Sequence, residues 1–80
     1  MPIMKSVADA SSQVAAIGYD PSSQVFAVQF KDKDGNPAPH VYHYKGVDGD
    51  TANAIENAES FGRAVRQLRA FDFDKLDASA

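Results

Sequence analysis

The chain has no cysteine. It can form no disulfide, offer no thiolate nucleophile and build no cysteine-based zinc site. No run approaches the roughly 20 apolar residues of a membrane span. The opening "MPIMKSVADA" carries one lysine and no apolar stretch of signal-peptide length. A soluble, cytoplasmic protein without membrane contact is the expectation. Positive charge is short too: 8 Lys and Arg stand against 11 Asp and Glu, a formal net charge of −3. That disfavours a general nucleic-acid binder, whose affinity comes from cations meeting phosphates, although a local basic stripe stays open. No glycine-rich phosphate loop, nucleophile elbow, internal repeat or low-complexity segment is present.

What is there is 80 residues with 44% hydrophobic composition, one domain over residues 1–80. A chain this short buries only about 60% of the surface it exposes when unfolded, so the core is small and a deep substrate cavity has little room. Residues 1–10 read as a loose lead-in and residues 77–80 as a flexible tail. Between them, "SSQVAAIGYD", "QVFAVQFK" and "HVYHYKG" read as strands, rich in β-branched and aromatic residues. "DPSS" is a turn. "DKDGNPAP" is a long hairpin loop, with Asp34-Gly35 supplying the turn and two prolines holding the segment out of the sheet.

The period then lengthens from two to about 3.6. Asp48, Asp50 or Thr51 can cap a helix through "ANAIENA", with Ala52, Ile55 and Ala58 along one side. Ser60 can cap a second, "FGRAVRQLRAF", which gathers Phe61, Ala64, Val65 and Leu68 on one face. The expected fold is α+β: a three-stranded antiparallel meander followed by two helices packed on one sheet face, β-β-β-α-α.

Read together, "SS", "IGYD", "VFAVQF", "YHY" and "AESFG" resemble the KTSC domain family over roughly Ser11 to Leu76. That family is named for the C-terminal end of some lysyl-tRNA synthetases and also occurs as small stand-alone bacterial and phage proteins. The resemblance carries a Tyr-x-Tyr signature onto Tyr42 and Tyr44 and a Ser-x-Gly signature onto Ser60 and Gly62. It implies no established activity; an RNA-binding role follows only by association with the synthetase. The chain departs from the family pattern in its long second hairpin loop and in Arg66, where the family pattern has an asparagine.

Alternation decides which side chains share a face. Phe26, Val28 and Phe30 belong under the helices, because burying a large apolar side chain contributes about 1.5–3 kcal/mol. The same argument places Tyr42 and Tyr44 in the core. In the alternative reading they lie on an open face and stack bases, as in an RRM-like platform. With the tyrosines inside, the open sheet face shows Val14, Ala16, Val25, Ala27, Gln29, Val41 and His43. This nearly uncharged patch is either scattered surface under the N-terminal segment or a partner surface.

Arg63, Arg66 and Arg69 spread over about a third of a helix circumference, given 3.6 residues per turn. They form either a solvated face or a ridge that meets an acidic partner or a phosphate backbone. His40 and His43, three apart in a strand, point to opposite faces, which argues against metal ligation by that pair. "DKDGN" has the opening of a calcium loop without its further ligands or closing glutamate. No catalytic residue, metal or cofactor is expected. The expectation is a non-enzymatic binding module of the KTSC type acting by protein–protein contact, in one version a phage-encoded modulator of a host machine. Self-association through the open face is one form of that contact. The alternative is an RNA or single-stranded nucleic-acid binder.

Overall fold

The computed structural model describes residues 4–7, 9 and 11–77. Among these described residues, five antiparallel strands form one sheet in the order β1-β2-β3-β4-β5. They are β1 (Lys5–Ser6), β2 (Val14–Asp20), β3 (Val25–Lys31), β4 (Pro37–Tyr44) and β5 (Phe73–Asp77). Between β4 and β5 the chain forms α1 (Gly49–Glu56), α2 (Phe61–Ala64) and a 3-10 helix (Val65–Ala70). The three-stranded meander followed by two helices is therefore corrected to a mostly-sheet fold with two short helices, and the sheet closes with a strand after the helices. Part of the supposed lead-in pairs as β1, and the segment preceding residues 78–80 is β5. Those last three residues lie outside the described residues, as do 1–3, 8 and 10 of the lead-in.

Local chemistry explains each turn. The Asp20 carboxylate accepts from the Ser22 backbone N–H at 3.0 Å and from its hydroxyl at 2.7 Å, closing the β2–β3 link. In the next hairpin Asp32 Oδ1 accepts from the N–H groups of Asp34 and Asn36, and Gly35 supplies the left-handed φ of +83°. The two prolines do not hold the segment out of the sheet, because β4 begins at Pro37. They sit where the register is broken instead: Gln29 pairs with Val41 and Lys31 with Pro37, so Phe30 faces Ala38, Pro39 and His40. Proline brings no N–H to a ladder, and a bulge is where a strand tolerates it. The Gln29 side-chain amide donates to the Ala38 carbonyl at 2.9 Å and fixes the bulge.

Asp48 caps α1 by accepting from the Thr51 N–H at 2.8 Å; Ser60 caps α2 through Arg63 N–H at a longer 3.4 Å. The second helix does not stay α. From Val65 it tightens to a 3-10 turn, whose three-residue period eclipses positions i and i+3. Val65 and Leu68 thus line up toward the core, and Arg66 and Arg69 line up in a second row outside it.

The core lies between one sheet side and the helices. Ile17, Phe26 and Val28 meet Val47, Ile55 and Leu68, all of them fully buried. Val47 is held from two directions: its N–H donates to the Gln24 carbonyl at 2.9 Å, and its carbonyl accepts from the Tyr19 hydroxyl at 2.6 Å. Among the described residues, no helix is long and apolar enough to cross a membrane.

Candidate functional site

The helices sit over β2 and β3 and leave the same sheet side uncovered along β4 and β5. Cross-strand pairing sets Tyr44 beside Phe26 and Phe73, and Tyr42 beside Val28 and Lys75. The result is a strip of four rings. Phe30 and Tyr42 meet edge-on with centroids 5.6 Å apart, Tyr42 and Phe73 at 5.4 Å, and Tyr44 and Phe73 at 5.5 Å. Such pairs contribute about 0.5–1.5 kcal/mol beyond the area they bury. The strip runs from half-buried Phe30, Tyr42 and Tyr44 to Phe73, which is 53% exposed.

The tyrosines therefore lie on the helix side of the sheet but not under the helices. Tyr44 packs against the edge of the core, and burial raises its phenol pKa; neighbouring Tyr42 raises it further, and the Arg69 guanidinium works the other way. Tyr42 stands farther out, with the Lys75 ammonium 5.9 Å from its ring centroid.

A groove flanks the strip on each side. One, of about 240 Å³, lies against the helical segment and is lined by Gln13, Phe30, Tyr44, Gly62, Val65, Arg66 and Arg69. The other, of about 500 Å³, lies at the β4 bulge and is lined by Phe30, Ala38, Pro39, His40, Tyr42 and Lys75. Among the described residues, no carboxylate lines either. The acidic residue that shares this side of β5, Asp77, is at the strand's end across from His40. Asp74 faces the other side, paired with His43, and its carboxylate is 3.3 Å from the Lys45 ammonium.

Arg66 and Arg69 of the three-arginine ridge thus join the aromatic strip. Arg63 lines neither groove; it borders a polar hollow of about 220 Å³ with Ser11, Ser12, Glu59, Ser60 and Arg66. Ser60 acts as a helix cap. Gly62 makes room: a Cβ there would collide with the Gln13 side-chain amide, whose Cδ would be 3.2 Å away.

The opposite, open sheet face is smaller than the sequence suggests. Val14 is not on it. A bulge between Val14 and Ala16 turns Val14 to the helix side, where it is fully buried in the core. Ala27 is on that face but 0% exposed, so it offers no contact area. Gln29 spends its amide on the bulge. Ala16, Val25, Val41 and His43 remain half-buried, joined by Leu76 at 41% exposure.

Phe73, Lys75 and Leu76 are missing from any sequence-derived site, as are Phe30 and His40. One signal for β5 was present: "FDK" matches "YHY" in antiparallel register, ring beside ring. It is a weak signal, since each face of "FDKLD" carries one apolar and at least one charged residue.

Together the geometry defines a small antiparallel-sheet domain with one helical half-cover and a cationic aromatic surface beside it. The chain belongs to the KTSC family: the model of the KTSC domain matches residues 10–69. An uncharacterized protein of Stutzerimonas stutzeri (strain A1501) is 34% identical over 65 residues, 81% of this chain and 83% of that protein. A crystal structure of a KTSC domain protein from Yersinia pestis superposes with a TM-score of 0.71 at 25% identity, covering 96% of this chain and 97% of that one.

Proposed function

We propose that this KTSC domain is a non-enzymatic binding module for single-stranded nucleic acid, with the strip Phe30, Tyr42, Tyr44 and Phe73 as its contact surface. One observation carries the reading: Arg66, Arg69 and Lys75 line the two grooves beside the half-buried rings of the strip, and among the described residues no carboxylate does. The net charge of −3 is thus unevenly placed, and the local field at the strip favours phosphate. Every base has a π-face, so stacking on such rings is tolerant of sequence and contributes about 1–3 kcal/mol per base. Guanidinium groups in a row at three-residue spacing suit successive phosphates.

The test is a titration of a fluorescein-labelled single strand at several salt concentrations. Affinity should fall steeply with salt, with a log–log slope of about −0.7 per phosphate contacted. The Arg66→Ala/Arg69→Ala/Lys75→Ala variant should flatten that slope by about 2, three contacts at ~0.7 each. A salt-independent affinity, or one untouched by the triple variant, rejects the reading.

A second reading keeps protein contact through the open sheet face, including modulation of a host machine by a phage-borne copy. The exposed Leu76 beside Val41 favours it. It requires binding that survives moderate salt and is lost on Val25→Asp or Val41→Asp.

A further inference from the structure

The bulge in β4 does more than accommodate two prolines. It opens the larger groove, about 500 Å³, beside the aromatic strip. Small-molecule sites commonly measure about 300–1,000 Å³ and combine apolar walls with few polar groups. This groove has that make-up. Phe30 and Tyr42 form one wall, with ring planes at 62°; Ala38 and Pro39 belong to the bulge; Lys75 stands at the rim over Tyr42. The bulge is braced by the Gln29 amide on the Ala38 carbonyl, so this wall of the groove is held by the chain's own bonds.

One atom in the lining is unexplained by the fold. Nδ1 of His40 is buried and, among the described residues, has no hydrogen-bond partner. Buried polar atoms are nearly always paired, and a turn of the His40 ring, which lines the groove, brings this nitrogen within reach of a group that arrives from outside. A nucleobase fits both features, since it has flat apolar faces and an edge of donors and acceptors. A phosphate alone would not use the apolar walls, and an aliphatic side chain would leave His40 unpaired.

We infer that the groove at the β4 bulge is a pocket for one base of the bound single strand, with the ring held against Phe30, Tyr42 and Pro39 and its edge toward His40. This rests on the nucleic-acid reading and deepens it. Bases elsewhere on the strand stack on the strip without selection; the base in this pocket is the one whose edge is read. Lys75 at the rim meets the phosphate beside it.

The test uses the whole domain and two labelled probes of equal length. One is a six-nucleotide DNA strand; the other is the same deoxyribose-phosphate chain without bases. Ala38 is half-exposed, so Ala38→Phe fills the groove without entering the core, and His40→Phe keeps ring volume while removing Nδ1. Circular dichroism checks that both fold. Each variant should bind the base-bearing strand about five- to tenfold more weakly than wild type, with little change for the abasic chain. The His40 Nδ1 resonance should shift when wild type binds the base-bearing strand. If wild type binds and both variants bind equally well, or that resonance stays still, the pocket is overturned while the strip reading stands. If wild type binds neither probe, or both equally, the nucleic-acid reading itself falls and takes the pocket with it.

Discussion

Two halves of one sheet side behave differently. Over β2 and β3 the helices seal Ile17, Phe26 and Val28 to zero exposure. Over β4 and β5 the helical segment reaches only Tyr44 at the edge of the core, and among the described residues rings replace aliphatics. Aliphatic side chains gain only by leaving water. Tyrosine can keep one end wet, and an edge-to-face cluster partly satisfies itself. The covered half holds the fold together; the uncovered half is free to hold something else.

The strongest way to break that comparison is truncation of one ring in each half. Phe26→Ala should cost about 3–5 kcal/mol in urea denaturation, and Phe73→Ala about 1 kcal/mol or less, because Phe73 is already 53% exposed. Equal costs would mean that the strip is core after all. A smaller effect concerns the caps. Ser60→Ala should cost about 0.5 kcal/mol, the low end for a capping serine, because its bond to Arg63 N–H is long at 3.4 Å.

Acid sharpens the contrast further. Hydrogen bonds from Thr51 to Asp48, and from Ser22 to Asp20, hold both carboxyls below the ordinary carboxylate range. Their stabilisation is present above the unfolded value of about 3.9 and fades as pH falls through the folded pKa. Asp48→Asn should therefore flatten the stability–pH curve at its acid end, measured by thermal melts from pH 2 to 6. The smallest effect belongs to the strip. Arg69 opposes the rise in the Tyr44 pKa, so Arg69→Ala should move that phenol's titration to higher pH, followed by its ring signals in NMR.

Much of this was legible in the sequence, for identifiable reasons. "VFAVQF" alternates cleanly, and Phe26 and Val28 are buried as expected, while Phe30 is only half-buried and Ala27, expected on the open face, is fully covered. Asp48 and Ser60 cap the helices, because a side-chain acceptor before an apolar period has few other uses. β1 escaped notice because two residues carry no period. β5 escaped because Phe73 with Lys75, and Asp74 with Leu76, cancel the hydrophobic signal on each face. Without β5 the tyrosines had no ring partner, and burying them under the helices was the economical answer. The misplacement of Val14 has a similar origin: one bulge reverses the parity of everything before it, and "QVAAIG" gives no sign of where that bulge falls.

The central claim is that the uncovered aromatic half, not the opposite face, receives the ligand. Side-chain NMR during titration with a single-stranded oligonucleotide tests it most directly. The ring signals of Phe30, Tyr42, Tyr44 and Phe73 should shift, with the methyl signals of Val25, Val41 and Leu76 nearly still. Movement of those methyls with quiet rings, or no movement anywhere, would contradict it.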